Sequence, residues 1–205
     1  MKGICYKFII GLIIVLLGTV SSCSATSKQT SGEAAWVKGY HSLNELTTAT
    51  EIDMIAIGTI DRVVEIFNYS PLPEHADYGT KFAFRVETVL KGEYIKEIIV
   101  TQVGAPNKPG SDIGEDPLFQ IGERYLLFLS KIVYPDTYHP TGEVLYPNTY
   151  NHPGPWGRYL IIDNKIYSLN NTPQASGTYH ESGLNFNGVP LSTFMREIDS
   201  ILQSQ

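Results

Sequence analysis

The chain has 205 residues, 42% of them hydrophobic, and a net charge of −6. Acidic balance argues against nucleic acid as a partner, because phosphate backbones select for clustered Lys and Arg. Both cysteines, Cys5 and Cys23, lie in the first 23 residues; the remainder can form no disulfide, offers no thiol nucleophile and holds no cysteine-bound zinc.

The chain opens with Lys2 and Lys7, runs through an apolar stretch from Phe8 to Leu17 and reaches small residues before Cys23. A basic start, a short apolar core and a small-residue cleavage site make a secretory signal. A spanning helix needs roughly 20 apolar residues, and the strongest run here is about half that. Val20-Ser21-Ser22-Cys23 resembles the bacterial lipobox. That resemblance implies a signal peptide over 1–22 and a lipidated Cys23 as the first mature residue. The protein would then sit outside the cytoplasm, held to the lipid bilayer by acyl chains. By analogy with known sorting, Ser24 lacks the aspartate of inner-membrane retention, which implies the outer membrane where one exists. Cleavage removes two lysines and no acidic residue, so the net charge of −6 becomes −8. Anchoring would therefore fall to the lipid, with no help from charge.

Residues 23–40 are expected to be the lipidated cysteine and a flexible tether. Ser24 to Glu33 (SATSKQTSGE) has no large apolar residue and the composition of a linker. One domain is expected over 41–205, large enough to bury a core without disulfide staples. Ser42-Leu43-Asn44-Glu45 fits a capping box and predicts a short helix over Leu43 to Thr48. Asp53 to Glu65 reads as a strand with a bulge or bend at Gly58. Lys81 to Leu90 alternates, with Phe82, Phe84 and Val86 on one face and Lys81, Arg85 and Glu87 on the other, as a half-buried strand does. Glu97 to Val103 is a third strand, joined to the second through Gly92-Glu93 as an antiparallel hairpin. Glu123 to Ser130 is a central strand. Arg158 to Leu169 is a hairpin turning at Asp163-Asn164, since both residues tolerate positive φ. In Leu191 to Leu202, Phe194, Ile198, Ile201 and Leu202 form one helical stripe, with Ser192 as the expected cap.

Five main strands with small helices and uneven connections predict a mainly β fold. The expected form is a five-stranded OB-like Greek-key barrel with a short N-terminal helix and a C-terminal helix. Three runs carry a likeness: Ala56-Ile57-Gly58-Thr59-Ile60, Phe84 to Gly92 (FRVETVLKG) and Pro117 to Leu129 (PLFQIGERYLLFL). Over about residues 50 to 170 the chain resembles a loose group of uncharacterised bacterial lipoproteins. Their domain is similar in plan to the OB-fold of tissue inhibitors of metalloproteinases. The resemblance implies the fold and no catalytic signature. Inhibition does not carry over, because those inhibitors use an N-terminal cysteine and disulfides that this chain lacks.

The expected ligand-binding surface is a pair of aromatic, proline-stiffened loops, Phe67 to Gly79 and Val133 to Gly157. In OB-folds the loops after the first and fourth strands flank the binding face. Tyr69, Tyr138, Tyr146, Tyr150 and Trp156 are the expected contacts, since such rings give rigid contact area with a polar edge. An envelope protein or a glycan is the expected partner. The alternative is a small hydrolase or metal-dependent enzyme using His139, His152 and nearby carboxylates. The five histidines (41, 75, 139, 152, 180) show no metal-motif spacing. Asp112, Glu115 and Asp116 cluster between glycines, where a hard cation such as calcium is one reading; the loop does not match an EF-hand, and a solvated acidic turn is expected. There is no nucleophile elbow, no His-Glu-x-x-His and no phosphate-cradling glycine loop, so no catalytic residue and no cofactor is expected.

Overall fold

A computed structural model of the chain describes residues 40–68, 77–108, 116–133, 146–169, 184 and 186–205. The expected leader, Cys23 and the tether up to residue 39 lie outside them, as do Tyr69, Tyr138, His75, His139, His180, Asp112 and Glu115. The elements in chain order are α1 (Leu43–Thr48), β1 (Met54–Asn68), β2 (Tyr78–Lys91), β3 (Glu97–Val103), β4 (Arg124–Lys131) and β5 (Thr149–Asn151). A single 3-10 turn (Gly154–Gly157), β6 (Arg158–Ile162), β7 (Lys165–Ser168), β8 (Asn187–Pro190) and α2 (Leu191–Gln203) follow.

Strands β1, β2, β3, β5 and β4 pair in that order, and β4 returns to β1, closing a ring of five. All of these pairings are antiparallel except β3 with β5. The chain is therefore mainly β, with an OB-like five-stranded ring and a helix at each end. The ring differs from expectation in its fifth member. The sequence pointed to the run starting at Arg158, whereas the closing strand is the three-residue β5. The second edge of β4 is divided: Ser130 and Lys131 pair with β5, and Tyr125 to Leu127 pair with β6. Strands β6, β7 and β8 thus leave the ring as an open extension. The β6–β7 turn is the expected one, with Asp163 at φ 49° and Asn164 at φ 57°.

Two cores result from the alternation of side chains. Met54, Ala56 and Ile60 of β1, Tyr125, Leu127 and Leu129 of β4, and Leu160 of β6 fill the ring with Phe82, Phe84, Ile98 and Val100. Their neighbours Ile55, Ile57, Leu126, Phe128, Tyr159 and Ile161 face the other way and pack under α1 and α2. Strands buried on both faces read as continuous apolar runs, which explains MIAI and YLLFL. Gly58 sits at a register shift in β1. A Cβ there would meet the Arg85 carbonyl oxygen at 2.2 Å, so the β1–β2 approach requires glycine.

The helices follow their sequence signals with two adjustments. Ser42 Oγ accepts from Glu45 N at 3.1 Å, but the Glu45 carboxylate takes the His41 amide, one residue before the cap. Pro190 occupies the N-cap of α2, and Ser192 lies inside the helix with no capping bond. Phe194 and Ile198 of the predicted stripe are fully buried.

Candidate functional site

The described ends of the two aromatic loops meet on β2. Strands β1 and β2 run as a hairpin to Asn68 and Tyr78, so the first loop is shorter than expected and Phe67 and Gly79 belong to strands. Phe67 lies over β2: a Cβ on Gly79 would come 2.5 Å from its Cζ. Lys81 was expected on the solvent side, yet its side chain is fully buried. Its Nζ sits 3.2 Å from Glu65 Oε2, 4.8 Å from the Phe67 ring centre and 5.3 Å from that of Tyr146. A buried ammonium needs such compensation, because desolvation of a charge is costly without a counter-ion and close π faces. Tyr146 is held by its carbonyl, which accepts from Thr149 Oγ1 at 2.7 Å. Cross-strand pairing puts Glu65, Lys81, Thr101 and Asn151 in one polar row over β1, β2, β3 and β5. The Thr101 hydroxyl in this row is buried and makes no hydrogen bond.

A second polar group lies in the ring core. Arg158 opens β6 on the same face as Leu160 and is 1% exposed. Its Nη1 donates to Asp116 Oδ1 at 2.9 Å, and its guanidinium stacks on Phe119 at 3.9 Å. His152 Nε2 stands 3.6 Å from Asp116 Oδ2, and its Nδ1 is 3.1 Å from the Gly154 carbonyl oxygen. The Gly154 carbonyl oxygen can only accept, so Nδ1–H is assigned as the donor to it. Asp116 is 2% exposed, so the expected solvated acidic turn is corrected at this residue: its carboxylate serves a buried guanidinium. Burial pushes the His152 pKa below its ordinary value; Asp116 opposes this, Arg158 adds to it and the Gly154 bond opposes it. Burial likewise pushes the Tyr125 hydroxyl to about 12, and it donates to the Glu123 carboxylate.

The sign of the pH effect follows from the lowered His152 pKa. Above pH about 6.5 the imidazole is neutral in both folded and unfolded chains. Below it the unfolded chain takes up the proton first, so folding stability falls, by about 1.4 kcal/mol per pH unit until the folded pKa is reached. Urea unfolding at pH 7.5, 6.5 and 5.5 should show this fall in the parent and lose this part of it in His152→Gln.

Of the expected contact residues, the three among the described residues do not share one surface. Tyr146 is half-buried beside Lys81. Tyr150 is 4% exposed and belongs to the ring core, because β5 turns it inward beside Val100. Trp156 packs against the helix-side core. His152, the described member of the enzymatic alternative, is sealed with Asp116 and Arg158. The sequence reading missed Phe67, Glu65 and Lys81 as a cluster; the Lys81–Glu65 register across a hairpin is the signal that marks it. Among the described residues, no three His, Cys, Asp or Glu side chains are grouped to hold a metal ion. No protein-family model matches the chain, and no curated protein matches it in sequence.

Proposed function

We propose that the protein is a lipid-anchored, extracytoplasmic binding module without enzymatic activity. Its contact face is the outer side of β1, β2 and β3 at the loop bases, with Phe67 and Tyr146 at its centre. The observation that carries this reading is the convergence of both loop ends on Lys81, flanked by two aromatic rings. Aromatic faces over a polar row suit an envelope glycan or a protein segment, where stacking gives area and the row gives direction.

The anchor in this reading is Cys23, on the evidence of the leader sequence. Among the described residues no helix is long and apolar enough to cross a membrane. Cells fed an alkyne fatty acid should label the parent and leave Cys23→Ser unlabelled and released from the membrane fraction. Equal labelling of both would remove the anchor from the proposal. The binding face is tested by capture from solubilised envelope with a Phe67→Ala/Tyr146→Ala double variant as the comparison.

A further inference from the structure

The chain contains one Asn-Gly pair, Asn187-Gly188. It lies in β8, the last strand of the open extension, whose outer edge has no strand partner among the described residues. Against β7 the ladder is irregular: Ile166 pairs with Val189 and Tyr167 with Asn187, so Gly188 has no register partner. Gly188 takes φ 70°, the left-handed conformation of a glycine at a bulge. Asn187 is exposed. The space beside the Gly188 Cα is open: a Cβ built there would find the Tyr167 hydroxyl nearest, at 3.8 Å.

We propose that Asn187 is a self-modification site, where the Gly188 main-chain nitrogen attacks the Asn187 side-chain amide and converts it to aspartate and isoaspartate. The Gly188 nitrogen gives its proton to base and bonds to Asn187 Cγ. The Cγ–Nδ2 bond breaks, and ammonia leaves with a proton from water. A five-membered succinimide remains. Water then adds to one of its two carbonyl carbons and opens the ring. Water is the only co-reactant. A regular strand resists ring closure, because its ladder fixes the main chain in an extended form that holds this nitrogen away from Cγ. The bulge removes the ladder partner, and glycine has no side chain to hinder the approach or the φ/ψ change that ring closure needs. The open outer edge leaves β8 held from one side only. Each event adds one negative charge, taking the chain from −6 to −7. The isoaspartate form also adds one methylene to the main chain between Phe186, whose ring packs on Phe194 at 4.8 Å, and Val189. This proposal does not depend on the binding reading.

Incubation of the full chain at mildly alkaline pH, folded and in parallel unfolded in urea, tests it, with products placed by peptide mapping and mass spectrometry. In the folded chain Asn187 should convert within a few-fold of its rate in urea and yield both aspartate and isoaspartate. It should outpace by several-fold Asn107, Asn148 and Asn164, the asparagines that also have positive φ. Asn187→Gln should leave this peptide unconverted. Retention of Asn187 in the folded chain while the unfolded chain converts overturns the proposal, as does retention in both. Aspartate as the sole product also overturns it, because direct hydrolysis bypasses the ring, and so does equal conversion of Asn187→Gln. Should that variant fail to fold, the comparison of folded and unfolded parent decides alone.

Discussion

Replacing Asp116 by Ala should lower the unfolding free energy by about 3–5 kcal/mol, the cost of breaking a buried pair by removing one partner. The reason is the environment of Arg158. Its guanidinium is 1% exposed, its Nε makes no hydrogen bond, and its nearest other neighbour is the Phe119 ring. Without Asp116 the charge stays buried among the described residues with only the Phe119 and Tyr125 rings against it. For a domain of this size the loss corresponds to a fall in Tm of roughly 10 °C. Arg158→Met alone should be similarly harmful, because it strands the carboxylate. The double variant should recover most of the loss, since well-packed apolar replacements of a buried ion pair are often neutral. Urea unfolding of the four proteins completes a double-mutant cycle. Losses that simply add would show that the pair is not coupled and that Asp116 acts through its loop.

The second large effect lies in the other core. Phe194 is fully buried under α2, with ring centres 5.2 Å from Tyr159 and 4.8 Å from Phe186. Phe194→Ala should cost about 3–5 kcal/mol through lost burial and the cavity left behind. The Tyr159 hydroxyl makes no hydrogen bond in this layer, and burial raises its pKa. Denaturant unfolding measures the total, and hydrogen exchange shows where it falls: α1 and α2 should lose protection first. Uniform loss through β2 and β3 would mean that the two cores do not behave as separable layers.

Local signals in the sequence placed most elements. The Ser42 cap set α1, Asp163-Asn164 set the β6–β7 turn, Gly58 marked the irregular point in β1, and the Phe194–Ile198 spacing set α2. These depend on neighbours within four residues, which a single sequence displays. Strand β5 escaped because three residues between Pro147-Asn148 and His152-Pro153 are too few to show a period. Tyr150 was misread for the same reason: without a strand assigned, nothing indicated that it points inward. The buried charges were harder still. Arg158 and Asp116 are 42 residues apart, and Lys81 carries the pattern of an exposed strand position. Once β6 is known to be buried on both faces, however, a charged residue on the Leu160 face demands a buried anion. The site at Lys81 depended on register, which places Glu65 opposite it across the β1–β2 hairpin.

The binding reading stands or falls on capture by the loop-base face. Soluble residues 27–205 would be immobilised beside the Phe67→Ala/Tyr146→Ala double variant and a Trp156→Ala control, each shown to be folded. All three would meet solubilised envelope from the source cells, with captured proteins and glycans identified by mass spectrometry. The expected result is one component held by the parent and by Trp156→Ala and lost by the double variant. A component held equally by all three, or by none, would contradict a binding face centred on Phe67 and Tyr146.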